Sequence, residues 1–179
     1  MQVDKNHRLL GCQWTPSEHY DSRPRGSAIE LVVVHCISLP EGQFGTGFPE
    51  QLFTGTLAIE ADDSFGDLEG IEVAPHLFID RGGNVTQLVS FDKRAWHAGV
   101  STWRKRDNCN DYSIGVELEG SATTGYEKEQ YRCLKKVLSA LFLAYDRLSL
   151  DSVVGHNEIS PDRKTDPGRY FDWTKVYSR

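Results

Sequence analysis

The run IELVVVHCIS, residues 29–38, leaves this chain few folds to choose from. It is short, β-branched and apolar on both sides, so it reads as a strand buried on both faces in the middle of a sheet. Further strand signals follow. VAPHLFID and NVTQLVS flank the turn RGGN as a β-hairpin whose glycines supply positive φ, and YSIGVELEG is another short strand. One long helix is expected over 126–147, where Tyr131, Leu134, Leu138, Leu141, Phe142 and Tyr145 recur at three- and four-residue spacing. FDWTKVY reads as a short terminal helix and PEQLFTGTL as another. The latter lies in a Gly- and acid-rich stretch, 39–70, whose length marks it as functional or disordered. Hairpin and crossover connections together predict an α/β fold, a single domain over 1–179 with a mixed central β-sheet flanked by helices.

Charge narrows the partners. Twenty basic against 26 acidic residues give a net −6, which argues against nucleic acid, membrane surfaces and anionic wall polymers and favours a small diffusible ligand. The four cysteines are scattered with no CxxC pair, and a chain of 179 residues buries a core without staples, so reduced thiols are expected. The N-terminal stretch has no hydrophobic signal core and no later segment resembles a membrane span, which points to a cytoplasmic protein; a monomer is the separate expectation.

His35 stands at the C-terminal end of the most apolar strand, where sheet proteins commonly place site residues, although alone it reads more readily as a packed core histidine. Glu117 and Glu119 share one face of the strand SIGVELEG, and burying an unpaired carboxylate there is costly. GHNEISPDRKTDPG, residues 155–168, has no apolar period, and Pro161 and Pro167 forbid a continuous helix. A solvated loop is the plain reading; Ser160-Pro161 can also start a single turn. By residue type, His35, His156 and Asp166 suit a zinc site with one open position, with Glu117 or Glu119 to take a proton and Lys164 to meet a developing oxyanion. Six histidines allow other triples. His76 alternates with apolar neighbours as a packed histidine does, and Cys36 points away from His35. WRKRD is either a solvated loop or an anion site, and Trp96 either a core anchor or a sugar platform. No phosphate loop or GxSxG elbow is present.

LVVVHCIS, LFTGTL, FDKRAWHAGVS, CNDYSIGVELEG and GHNEISPDRKTDPG, in this order, resemble the zinc N-acetylmuramoyl-L-alanine amidases, relatives of T7-type lysozyme and the peptidoglycan recognition proteins. The resemblance runs from HYDSRP to FDW and is strongest to the cytoplasmic recycling branch. It implies the amidase fold, Zn2+ as cofactor, and hydrolysis of the amide between 1,6-anhydro-N-acetylmuramic acid and L-alanine. It implies zinc ligation by His35, His156 and Asp166, and catalytic roles for Glu117, in preference to Glu119, and Lys164. Trp96 and His97 fall in its substrate-contacting segment, Arg163 is implied for peptide carboxylates, and Arg106 is a further substrate candidate. Two positions depart from the family pattern: Cys36 stands for Asn, and Glu72 for an Arg linked with the anhydro sugar. A non-catalytic wall-binding module is the rival from another class, and a wall-lytic amidase the rival within this one.

Overall fold

The computed structural model describes residues 1–177. Its strands and helices are β1 (Gln13–Trp14), β2 (Tyr20–Ser22), β3 (Leu31–Ile37), α1 (Phe48–Phe53), β4 (Leu77–Ile79), β5 (Val85–Gln87), β6 (Lys93–Ala95), β7 (Thr102–Trp103), β8 (Arg106–Asp107), β9 (Ser113–Glu119), α2 (Lys128–Ala144), β10 (Val153–Gly155), α3 (His156–Ile159) and α4 (Trp173–Tyr177). Six strands form the main sheet in the order β1-β5-β4-β9-β3-β10. Only the β4–β5 hairpin is antiparallel within it; β3 runs parallel to both β9 and β10, and β4 parallel to β9. The sheet is mixed, as the sequence predicts.

Strand periodicity divides the residues cleanly. Val32 and Val34 of β3, with Ile114, Val116 and Leu118 of β9, join Tyr131, Leu134, Leu138 and Leu141 of α2 in the largest apolar cluster, and Cys36 packs against it. Leu31 and Val33 join a second cluster on the other side, with Ala98, Tyr112, Val154 and Ile159. Burying a side chain of this size is worth about 1.5–3 kcal/mol, so β3 is secured from both faces. The start of α2 is clamped by Gln130, whose amide donates to Glu119 O at 2.9 Å and accepts from Glu127 N at 3.0 Å. The N-terminal stretch is tied in as well, through β1 on β5 and Leu9 N on Gln87 Oε1 at 2.8 Å.

The 39–70 stretch carries α1 and two short 3-10 turns, Ile59–Ala61 and Asp63–Leu68. All four cysteines are free thiols.

Candidate active site

Parallel pairing sets His35 opposite Glu117 and Leu31 opposite Ser113 in the β3–β9 register. Paired residues in adjacent strands point to the same face, so Ser113, Gly115 and Glu117 form a row beside His35, opposite the face covered by α2. β10 ends beside β3, with Gly155 against Val34, and His156 follows at once as the first residue of α3. The loop after α3 returns to the same place: Asn157 N donates to Asp166 O at 2.9 Å, and Tyr126 Oη to Pro167 O at 2.7 Å. The single turn expected at Ser160 is present in the backbone, since Ser160 O accepts from Arg163 N and Lys164 N at 3.0 and 2.9 Å. Its hydroxyl does not cap that turn; it donates to Val100 O at 2.5 Å.

The outcome is a triangle of donor atoms. His35 Nδ1 and His156 Nδ1 are 2.9 Å apart, and Asp166 Oδ2 is 3.1 Å from each. A tetrahedral zinc with ligands at about 2.0–2.1 Å sets its donors about 3.3 Å apart, close to what is found. The chemistry of the set agrees. His156 Nε2 faces Ala98 O at 3.0 Å and so carries the proton, which leaves Nδ1 bare. Three lone-pair-bearing atoms therefore share at most one proton, that of His35, and a cation suits them better. Burial works against the Asp166 carboxylate, but the hydrogen bonds with His156 and His35 outweigh it and hold the carboxyl far below its usual range. Burial pushes His35 down to about 4.

These residues open into a cavity of about 300 Å3, lined also by Glu117, Lys164, Trp96, His97, Leu52, Phe53, Leu68 and Ile71. Glu117 Oε2 is buried with no hydrogen-bond partner among the described residues. Burial first, and the Asp166 charge second, push its carboxyl well above the usual range, with Lys164 opposing. Glu119 has a different environment although it shares the strand face. Its two oxygens accept from the backbone N–H groups of Gly45 and Arg81, the latter at 3.1 Å.

Three residues that the sequence suggests for substrate binding are committed to protein groups. Arg163 turns away from the cavity, its Nη2 on Ala98 O at 2.6 Å, Val100 O at 2.9 Å and Ser160 Oγ at 3.1 Å. Arg106 also lies outside it, paired with Glu30 at 2.8 Å and stacked on Tyr112. The His97 ring lines the cavity, but its Nδ1 meets His35 Nε2 at 2.9 Å and its Nε2 meets Ser113 Oγ at 3.0 Å. Trp96 lines the cavity and stacks on His19. Glu72 lies one step away, lining an adjoining cavity that shares Leu52, Leu68 and Ile71. His76 is a packed histidine as expected: its Nδ1 accepts from Gly115 N at 3.0 Å and its Nε2 faces Lys93 O at 3.1 Å. The apolar wall from Leu52 to Ile71 escaped sequence reasoning, because its residues follow no single period.

Residues 25–169 match the N-acetylmuramoyl-L-alanine amidase family. The chain is 47% identical over 167 residues to the 1,6-anhydro-N-acetylmuramyl-L-alanine amidase AmpD of Escherichia coli K12, a match spanning 93% of this chain and 91% of that protein. A crystal structure of a selenomethionine derivative of AmpD superposes with a TM-score of 0.95 at 45% identity, over 99% of this chain and 98% of that one. The E. coli amidase AmiD, solved with anhydro-N-acetylmuramic acid-L-Ala-D-γ-Glu-L-Lys, superposes with a TM-score of 0.62 at 25% identity, over 87% of this chain and 59% of that one.

Proposed function

The chain belongs to the N-acetylmuramoyl-L-alanine amidase family and is an amidase; from that premise we propose that it is a zinc enzyme of peptidoglycan recycling. Its substrate is an anhydromuropeptide, cut between 1,6-anhydro-N-acetylmuramic acid and L-alanine, the activity named for the E. coli relative. His35, His156 and Asp166 hold the metal. The observation that carries this reading is the triangle of donor atoms at 2.9–3.1 Å with at most one proton among them. When bound, zinc supplies Lewis-acid polarisation of the amide carbonyl and of a water.

Glu117 accepts the proton of the attacking water and passes it to the departing L-alanine amine. An unpartnered, buried carboxylate oxygen supports this role, since a general base must be free to take a proton. Lys164 meets the negative charge that develops on the carbonyl oxygen. Trp96 and the apolar wall exclude water and orient the sugar and lactyl group. The chain is one amidase domain, working as a monomer. Its four free thiols fit a reducing, cytoplasmic setting, and no helix among the described residues is long and apolar enough to cross a membrane.

Mass spectrometry of products from paired anhydro and reducing-end muropeptides, with and without chelator, tests the assignment. Free stem peptide from the anhydro substrate, abolished by chelator and restored by zinc, is the expected result. Chelator-insensitive turnover, or clearance of intact sacculi with muropeptides left uncut, contradicts it. Glu117→Gln should retain zinc and lose turnover about 100- to 10,000-fold; near-normal turnover removes Glu117 from the reaction. Asp166→Ala should lose zinc and activity together, and full occupancy by elemental analysis contradicts its role as ligand.

A further inference from the structure

The groups behind the two metal-facing histidines come from one stretch of two residues. Ala98 O accepts from His156 Nε2 at 3.0 Å, and His97 Nδ1 meets His35 Nε2 at 2.9 Å. Asn110 Oδ1 accepts from both backbone N–H groups of that stretch, His97 N at 3.2 Å and Ala98 N at 2.9 Å, so one side chain fixes both supports. His97 Nε2 continues to Ser113 Oγ at 3.0 Å. Its ring lies against Gly115, where a Cβ would come within 2.6 Å of Nδ1 and 2.7 Å of Cδ2.

We propose that His97 is a positioning residue: with Ser113 behind it, it sets the tautomer of His35 so that Nδ1 faces the metal with its lone pair. The inference rests on the zinc reading above. For His35 Nδ1 to act as a ligand, its proton must sit on Nε2, and a proton there needs an acceptor. His97 Nδ1 is that acceptor at 2.9 Å. His97 then carries its own proton on Nε2 and donates it to Ser113 Oγ, and a hydroxyl accepts as readily as it donates. The reverse polarity is equally self-consistent. Ser113 donates to His97, His97 to His35, and the His35 proton then lies on Nδ1, between Asp166 and His156, where it blocks the metal. The two arrangements hold the same number of protons and differ by a shift along the chain. The metal-ready form is therefore reached without placing a charge behind the site. Both ring nitrogens of His97 are used in either form, so neither is free for substrate.

Zinc affinity by chelator competition tests this, with histidine 15N shifts reporting the tautomer of His35. His97→Leu removes the acceptor and should weaken zinc binding about 10- to 100-fold. His97→Asn places an Oδ1 near the Nδ1 position and should recover most of that loss. Ser113→Ala, a smaller change, should weaken zinc in the same direction and shift His35 in the metal-free protein towards the Nδ1-protonated form; it carries the test if His97→Leu does not fold. With zinc saturating, KM for the anhydromuropeptide should stay at the wild-type value in His97→Asn. Wild-type zinc affinity in both His97→Leu and Ser113→Ala overturns the inference, as does an Asn variant no better than Leu. A raised KM with unchanged zinc affinity assigns His97 to substrate and overturns it too. Failure of the wild-type protein to bind zinc overturns the zinc reading, and this inference with it.

Discussion

Gly115→Ala should destabilise this protein, although the usual expectation for such a change is the opposite sign. Gly115 lies inside β9 at an ordinary negative φ, and there alanine restricts the unfolded chain and stabilises by about 0.4–1 kcal/mol. The added Cβ, however, would stand 2.6 Å from His97 Nδ1 and 2.7 Å from Cδ2, and closer still to Cγ. Ordinary contact begins near about 3.5 Å, so the ring must retreat by close to 1 Å. It is tied at both nitrogens, to His35 at 2.9 Å and Ser113 at 3.0 Å, and a retreat of that size off the strand bends both bonds out of the ring plane and weakens them. Overpacking costs about 1–3 kcal/mol and each of the two weakened buried hydrogen bonds about 1 kcal/mol, so a net loss of about 2–5 kcal/mol remains after the entropic gain. The assay is urea unfolding of the metal-free protein, reading the midpoint at unchanged m-value. Gly125→Ala is the internal control, since nothing lies within 4 Å of its Cβ and its φ is not positive; it should be neutral or slightly stabilising. If Gly115→Ala proves as stable as Gly125→Ala, the packing argument around His97 is wrong.

Two other predictions concern groups outside the chemistry. Glu119→Ala leaves the N–H groups of Gly45 and Arg81 without their acceptor and should cost about 1–3 kcal/mol per group left dry, while zinc content stays at the wild-type level. Turnover lost with stability intact would instead place Glu119 in the reaction. His76 is held neutral by burial, with the Arg23 charge adding, and is pushed down to about 3. Because the unfolded chain takes up this proton first, near its ordinary value of about 6.5, the stability His76 contributes is full above that pH. It is lost on acidification towards 3, at about 1.4 kcal/mol per pH unit. His76→Gln should flatten the dependence of urea midpoint on pH by about one proton across that window, and an unchanged slope refutes the assignment.

What the sequence made legible follows the range of the interactions. Periodicity exposed β3, β9 and α2 because their partners are layers: any apolar surface of the right period on each side satisfies Val32, Leu134 or Leu138. Period two could not separate Glu117 from Glu119, since both lie on one face. What differs is the end of the strand, where the backbone of Gly45 and Arg81 arrives from distant segments to satisfy one carboxylate and not the other. Arg163 shows the same limit more sharply. It adjoins Lys164, yet the turn closed on Ser160 O sends Lys164 into the cavity and leaves Arg163 on the carbonyls of Ala98 and Val100.

Composition and spacing alone left His35, His156 and Asp166 one triple among several. Its three members come from β3, the start of α3 and the loop beyond, brought together by Asn157 N on Asp166 O and by the Gly155–Val34 pairing. The support behind them was harder still to foresee, because it depends on an omission. His97 reaches both His35 and Ser113 across β9 because position 115 has no side chain, and Ala98 O reaches His156 because Asn110 pins the same stretch. A glycine in a strand ordinarily reads as a weak point in the sheet. Here it is the clearance that lets an imidazole lie flat against β9, so within AWHAG the pair His97 and Ala98 backs the His35–His156–Asp166 cluster while Trp96 faces the cavity.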